Sequence, residues 1–561
     1  MRKLTTAAGE GLSGKPWDVY PRPQLRRKNY VNLNGQWDFA VTHTDEIPAE
    51  YDRKINVPFP VESELSGVAE HFPEGSRLWY RTSFAAPQGD RVLLHIDGVD
   101  QKASVWLNGE LVSNDICTVL HGAETVDITT HIESENSLVI CVTDDLNDKS
   151  YPYGKQTLKR GGMWYTPVSG IWQTVWLEAV PSEYISGIKI VPACDSAEIE
   201  INGVSSAIVV CDGKEYSANE GKVLIKPECP KQWTPETPYL YDFTVKAGED
   251  EVQSYFALRT LEIKEVNGKQ RICLNGKPYF FNGLLDQGYW PDGIYTPASP
   301  TCYADDILAM KKLGFNTLRK HIKVEPQQFY YDCDRLGMVV FQDMVNNGRY
   351  SFVRDTALPT AGMQRLNDKR LNSDKKCRSA FVKAMESTVE RLYNHPCICY
   401  WTIFNEGWGQ FESSAMYDRL KAIDATRVID STSGWFRCGK SDVESRHVYF
   451  KPFRMPKSDI PVVLSEFGGY VYKIAENSYN PDKTYGYRYL KNREDFEAAL
   501  YKLYDEEIVP AVKTGLCAAI YTQVSDVEDE TNGLLTYDRK ICKITAEKMQ
   551  GIARKLQEEI L

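Results

Sequence analysis

The spacing of apolar residues along the chain changes twice. From Trp17 to about Pro181 apolar and polar residues alternate in short runs separated by turn residues. Examples are Leu33-Asn-Gly-Gln-Trp-Asp-Phe39, Leu78-Trp-Tyr-Arg-Thr-Ser-Phe84, Arg91-Val-Leu-Leu-His-Ile96 and Ala103-Ser-Val-Trp-Leu-Asn-Gly109. Asn-Gly after an alternating run marks a hairpin. No helical period interrupts these runs, so residues 1–181 read as an antiparallel β-sandwich of jelly-roll type. Its first 16 or so residues are polar and read as a loosely held arm. Residues 182–265 carry further short strands, among them Ile185–Val191, Glu198–Ile201, Ala207–Val210 and Leu240–Lys246. That size and spacing predict a small immunoglobulin-like β-sandwich acting as a spacer.

Residues 266–561 have a different texture. Apolar runs expected as strands (Tyr279–Gly283, Asn316–Arg319, Met338–Gln342, Cys397–Phe404, Val428–Ser431, His447–Phe450, Val462–Ser465, Leu516–Gln523) alternate with amphipathic stretches. The latter include Tyr303–Leu313, Pro326–Leu336, Ser379–Tyr393, Glu412–Ile423, Glu494–Val512 and Thr545–Leu556. Strands buried on both faces and separated by helices predict a (β/α)₈ barrel.

Two of these strands end alike. Cys397–Phe404 runs into Asn405-Glu406-Gly407, and Pro461–Ser465 runs into Glu466-Phe-Gly-Gly469. A single glutamate at a strand end is usually a solvated rim residue. Two of them, each after a fully apolar strand and followed by glycine, suggest one site at the mouth of the barrel. Paired carboxylates are what glycoside hydrolysis requires: one protonates the departing oxygen, the other attacks the anomeric carbon or activates water.

Composition narrows the partners. The formal net charge of −11 argues against nucleic acid or an anionic membrane as partner. Aromatic residues make up 12% of the chain, in keeping with flat rings that stack on sugar faces. The 14 cysteines are scattered, many in apolar runs, with no zinc-type spacing, and read as reduced thiols of a cytoplasmic protein. The N-terminal residues lack the apolar core of a secretory signal, and no run is long enough to span a membrane.

Asn405-Glu406 and Ser465-Glu466-Phe-Gly468 resemble the acid/base and nucleophile motifs of glycoside hydrolase family 2. The resemblance extends over most of the chain. Tyr20-Pro-Arg-Pro-Gln-Leu25, Leu33-Asn-Gly-Gln-Trp37, Trp79-Tyr-Arg81 and Val105-Trp-Leu-Asn-Gly109 are similar to signatures of its N-terminal domain. Phe280-Phe-Asn-Gly283 and Gly314-Phe-Asn-Thr-Leu-Arg-Lys-His321 match the ends of its first two barrel strands. The resemblance implies a retaining exo-β-glycosidase acting on an oligosaccharide or other glycoside. It makes Glu466 the nucleophile and Glu406 the acid/base. Asn405 would hold the sugar 2-hydroxyl, Arg319 would keep Glu466 charged, Tyr449 would hydrogen-bond it, and His321 and Asp286 would contact sugar hydroxyls. Each of the last four also has a structural reading, as ion pair, packing residue or loop cap.

Two departures bear on the sugar. Magnesium-dependent β-galactosidases of the family carry Glu and His ligands after the third strand, where this chain reads Gln342-Asp-Met-Val-Asn-Asn-Gly-Arg349, so neither a metal nor any other cofactor is expected. Its β-glucuronidases carry an Asn-x-Lys pair near the eighth strand, whereas Asp526-Val-Glu-Asp-Glu-Thr-Asn-Gly-Leu534 is acidic and would repel a uronate. By elimination the first expectation is β-galactosidase-like action, with β-mannosidase, β-uronidase or another β-glycosidase behind it. A non-catalytic carbohydrate-binding protein is the rival from another class. A homo-oligomer is compatible with the sequence and not required by it.

Overall fold

The structure is a computed structural model that describes residues 1–360, 363 and 367–561. Three bodies follow one another along the chain. The first is a sandwich of a six-stranded and a four-stranded antiparallel sheet. Trp37, Phe39, Tyr80, Leu94, Ile140 and Leu177 fill the space between them. The second sandwich pairs three strands (Gly187–Pro192, Ala197–Asn202, Lys222–Ile225) against four (Ala207–Cys211, Lys214–Ala218, Tyr241–Ala247, Asp250–Phe256). Along Ala197–Asn202 and Tyr241–Ala247 buried and non-buried residues alternate without a break, as a strand with one core face requires.

The third body is a parallel barrel of eight strands: Phe281–Asp286, Thr317–Lys320, Val339–Asp343, Ile398–Asn405, Val428–Ser433, Glu444–Val448, Val462–Gly468 and Leu516–Thr522. Strands one to five pair in chain order, strand one also pairs with strand eight, and eight, seven and six complete the sheet. Between strands five and six there is no ladder. Side chains close that seam instead: Ser445 Oγ donates to Asp430 Oδ1 at 3.0 Å, and Ile429 N donates to Asp442 Oδ2 at 2.9 Å. Every residue of strands one to five, seven and eight is buried; strands three, four, seven and eight are largely apolar, while strands two and five bury polar side chains such as Arg319, Lys320 and Asp430. The sixth has the mixed pattern of a polar strand.

The second sandwich grips the bottom of the barrel. Trp233 Nε1 donates to Asp334 O at 2.8 Å, and buried Arg259 reaches the carbonyls of Pro396 and Ile398, both at 3.1 Å. The strand Leu261–Val266 spans the boundary expected at residue 265. It pairs with Lys269–Leu274, whose Arg271 bonds Leu516 O at the start of strand eight.

The first sandwich reaches over the top. Its segment 150–168 is tied to the loops after strands three and eight: Tyr153 OH donates to Gly348 O at 2.9 Å, and Thr166 N to Glu528 Oε1 at 2.8 Å. The N-terminal arm, expected to be loosely held, is docked. Arg2 N donates to Tyr479 O, Thr6 Oγ1 donates to buried Asp292 at 2.7 Å, and Leu4 joins a buried cluster with Tyr165, Tyr289 and Tyr537. Those partners lie far along the chain, where local sequence reading has no purchase. Among the described residues no helix is long and apolar enough to cross a membrane, and all 14 cysteines are unpaired.

Candidate active site

Arg319 organises the mouth of the barrel. In the strand Thr317–Lys320 its side chain points opposite to that of Lys320, into the barrel, and it is 1% exposed. Its Nε donates to Asp343 Oδ1 at 2.9 Å, Nη1 to Glu466 Oε1 at 3.0 Å, and Nη2 to Asn405 Oδ1 at 2.8 Å. One guanidinium fork thus fixes the ends of strands three, four and seven.

Glu466 is buried where the register of strand seven shifts against both neighbours. A bulge re-aims a side chain, here into the barrel mouth. Tyr449 OH donates to its Oε2 at 2.5 Å, and the Tyr449 ring lies flat on Tyr487 at 3.8 Å. Burial alone would raise the Glu466 pKa. The positive charge of His447, Arg319 and His321 and the Tyr449 hydrogen bond outweigh it and hold the carboxyl down at about 2. Glu466 is an ionised, preorganised carboxylate.

Glu406 differs in every respect. It is half-buried, directly after strand four, in the left-handed region at φ 53°. Such a backbone costs a non-glycine residue about 1–3 kcal/mol and persists only where the surroundings over-determine it. They do so here: Glu406 N donates to Ser433 O at 2.9 Å, and Gly407 is packed under Phe436 so closely that a Cβ would sit 1.8 Å from the ring.

His447 joins the two glutamates, and the sequence reading passed over it. Its Nδ1 lies 2.9 Å from Glu406 Oε1 and 3.5 Å from Glu466 Oε2. On the other edge Nε2 is 3.1 Å from Ser433 Oγ, which donates to Ser465 Oγ, which donates to Arg446 O. Arg319 Nη1 lies 3.5 Å from the same Nε2, so this edge of the imidazole faces both the serine chain and the guanidinium.

The remaining expected residues divide. Asn405 gives its oxygen to Arg319 and has its amide nitrogen without a protein partner among the described residues. His321 Nδ1 bonds Asp343 Oδ2 at 2.7 Å, and burial, stronger than the pull of Asp343, lowers its pKa. Asp286 is not brought into the group. Its oxygens accept from Gly288 N at 2.9 Å and Lys320 Nζ at 2.6 Å, and Lys320 points away from Arg319 against Phe329 of the surrounding helix layer. Its place at a strand end suggested a sugar contact; the outward ion pair uses it instead.

A carboxylate oxygen of Glu406, one of Glu466 and a nitrogen of His447 lie within 4.8 Å of one another, a donor set of the type that can hold a small cation. Arg319 already supplies the counter-charge to Glu466 there. Asn346 and Asn347, after strand three, spend their amides on the carbonyls of Trp408, Ser150 and Cys377.

The sandwich completes the rim. Trp164 stacks edge-on against Tyr350 and Trp408 at 5.0 and 5.3 Å, and Tyr165 OH donates to buried Glu530. The half-buried Lys155 has no carboxylate within ion-pair distance among the described residues, yet its charge is felt at His321 and Glu530. The acidic loop after strand eight is internally matched: Asp526 pairs with Lys543 at 2.6 Å, and Glu528 and Asp529 with Arg160 at 3.1 and 3.4 Å. The repulsion of a uronate expected from that loop is therefore largely cancelled.

Fold and site together define a (β/α)₈-barrel protein with a paired-carboxylate centre at the C-terminal mouth of the strands. The model of the glycosyl hydrolase family 2 TIM barrel domain matches residues 265–460, and that of the glycosyl hydrolase 2 galactose-binding domain-like fold matches 54–161. The chain belongs to glycoside hydrolase family 2. Glu466 lies beyond the matched barrel segment, so its assignment rests on the geometry above. A β-galactosidase of Pseudoalteromonas haloplanktis is 26% identical over 491 residues, covering 79% of this chain and 44% of the relative. One of Vibrio vulnificus (strain YJ016) is 25% identical over 480 residues, covering 73% and 43%. The chain thus spans less than half the length of these curated relatives. Among solved structures, a β-glucuronidase of an uncultured Clostridium sp. superposes with TM-score 0.72 at 18% identity, covering 96% of this chain and 99% of that one. A β-galacturonidase of Eisenbergiella tayi, bound to galacturonate, gives 0.67 at 17%, covering 97% and 99%. These two likenesses are of fold.

Proposed function

We propose that the protein is a retaining exo-β-glycosidase working by double displacement. The supporting observation is the Glu406–Glu466 pair: carboxylate oxygens within 4.8 Å, in opposed environments. Retaining enzymes hold the two carboxyls about 5–5.5 Å apart, inverting ones about 6.5–9.5 Å to admit a water. Glu466, held ionised, attacks the anomeric carbon. Glu406, whose Oε1 lies 2.9 Å from His447 Nδ1, protonates the leaving oxygen and then draws a proton from water. Asn405 Nδ2 is free to hold the 2-hydroxyl, a contact that tightens as the ring flattens. The 14 unpaired cysteines suit a reducing, cytoplasmic setting.

β-Galactosides are the first substrate class, as the names of the curated relatives suggest. β-Uronides are the second, favoured by one feature: Lys155, which has no ion-pair partner among the described residues and whose charge is felt at His321 and Glu530. Nitrophenyl β-galactoside, β-mannoside, β-glucuronide and β-galacturonide discriminate. Turnover of one by the wild type and not by Glu466→Gln establishes the enzyme; release from none, with sugar bound equally by both proteins, is the behaviour of a lectin. Lys155→Met would lower kcat/KM for a uronide selectively and leave a galactoside little changed.

A further inference from the structure

Beside Glu406 lies a groove of about 600 Å³ that the chemistry above does not use. Gly407 and Gly409 form its inner end, and five basic residues line it: Lys149, Arg349, Arg354, Arg370 and Lys376. They come from three separate stretches: a loop of the first sandwich, the loop after barrel strand three, and the entry to the helix Lys375–Leu392. Two are matched, Arg354 by Asp355 at 2.5 Å and Lys376 by Asp148 at 2.7 Å. Asp374, the other lining carboxylate, caps the helix by accepting from Lys376 N at 2.8 Å. Arg349 and Arg370 are exposed, and among the described residues neither has a carboxylate within ion-pair distance. Lys149 lies over the Tyr153 ring at 3.8 Å, with Asp144 and Asp145 its nearest influences, and burial lowers its pKa.

A concentration of unmatched cations on a chain of net charge −11 has a direction: it attracts an anion. Its position is equally specific. The groove opens from the residues immediately after the proton donor, the side on which a leaving group departs. Guanidinium pairs recognise carboxylate and sulfate oxygens bidentately.

We propose that this groove is the leaving-group subsite and takes an aglycone sugar bearing an oxyanion, a carboxylate or a sulfate ester. The proposal rests on the glycosidase reading, and its test separates the two. In the first arm, kcat/KM is measured for three aryl glycosides of the sugar the enzyme turns over: 4-nitrophenyl, 3-carboxy-4-nitrophenyl and 3-sulfo-4-nitrophenyl, corrected for phenol acidity. Rim ion pairs of this kind contribute up to about 1 kcal/mol each, so two give an advantage of about 5- to 30-fold. That advantage should appear for the charged aglycones at low salt, fall at high salt, and vanish in Arg349→Gln/Arg370→Gln, which should keep wild-type turnover of the neutral substrate. Equal rates for charged and neutral aglycones, or a preference that survives the double substitution, would overturn it. In the second arm, calorimetry follows trigalacturonate and a sulfated trisaccharide binding to wild type and double variant, without turnover. Weaker binding to the double variant supports the subsite even if no glycoside is cleaved, and the tighter ligand identifies the oxyanion. Binding of neither, or of both unchanged by the substitutions, would reject it.

Discussion

Removing one oxygen from Tyr449 should separate the two halves of the reaction. The Tyr449 hydroxyl donates to Glu466 Oε2 at 2.5 Å, and its ring is held independently by stacking on Tyr487. Tyr449→Phe therefore deletes a hydrogen bond to a charged group, together with a neutral contact to Thr522 Oγ1 at 3.0 Å, and leaves the packing. Such a bond contributes about 1.5–3 kcal/mol, which is about 1–2 pKa units. The Glu466 carboxyl, now at about 2, stays below neutrality, so the nucleophile remains ionised at pH 7. During glycosylation negative charge leaves Glu466, so a bond that stabilises that charge gives nothing towards the barrier and its loss does not slow the step. During deglycosylation Glu466 is the leaving group and charge returns to it. The missing donor then raises that barrier by most of the 1.5–3 kcal/mol, about 10- to 150-fold in rate. Stopped-flow release of dinitrophenol should show a burst of one equivalent per site, followed by a slow steady state. Both kcat and KM should fall, with kcat/KM nearly unchanged. A kcat/KM that falls as far as kcat, with no burst, would refute this account of Tyr449.

The two glutamates should be separable by product. Glu466→Ala should lose all turnover, and with azide it should yield the α-glycosyl azide from a β-fluoride donor. Glu406→Ala should keep dinitrophenyl glycosides as substrates, because they do not need a proton typically contributing 10²–10⁴ in rate, and with azide it should give the β-azide; exchanged anomers in a product NMR spectrum would reverse the roles. Turnover should survive EDTA, since Arg319 already neutralises the Glu466 carboxylate; loss on chelation and recovery with magnesium would place an ion at the Glu406–His447–Glu466 group. Glu178, buried against Arg22, Arg27 and His95 in the first sandwich, has a pKa pressed far down because those charges outweigh the effect of burial. Its stabilisation is full above the unfolded value of about 4.3 and is lost as pH falls towards the folded one. Glu178→Gln should destabilise that body by about 3–5 kcal/mol at pH 7, read by calorimetry, with the deficit shrinking below about pH 4; a constant deficit would contradict the linkage.

What the sequence disclosed follows from what burial does to composition. Strands three, four, seven and eight stand out as apolar runs, whereas Thr317-Leu-Arg-Lys320 and Val428-Ile-Asp-Ser-Thr-Ser433 are buried but largely polar; the expected and observed limits of all eight strands differ by three residues or fewer. The sixth was expected at His447–Phe450 and lies at Glu444–Val448, because Glu444, Ser445 and Arg446 carry no hydrophobic signal. His447 stood inside the expected strand but without a role, because its partners Glu406 and Ser433 lie far from it along the chain. Three strands of the second sandwich, Lys214–Ala218, Lys222–Ile225 and Asp250–Phe256, were not among those expected; the first two are only four or five residues long, and the first and third are largely polar in sequence. Motif and strand end pointed to Glu406, Glu466, Asn405, Arg319 and Tyr449, which the structure brings together at the barrel mouth. Lys155 and the groove cations come from loops whose composition is ordinary and whose convergence is purely three-dimensional.

The seam also explains how two like residues acquire different tasks. Had strands five and six paired as the others do, their facing edges would be occupied by backbone bonds. Instead the edge of strand five offers Ser433 Oγ to His447, and its Ser433 carbonyl anchors Glu406 in a left-handed turn. The opposite edge of strand seven is bulged, turning Glu466 towards Arg319. One carboxyl is therefore clamped by the fixed positive charge of Arg319 and the other sits against an imidazole. In the proposed roles, acid and nucleophile are distinguished by the strand edges that hold them, since the side chains themselves are identical.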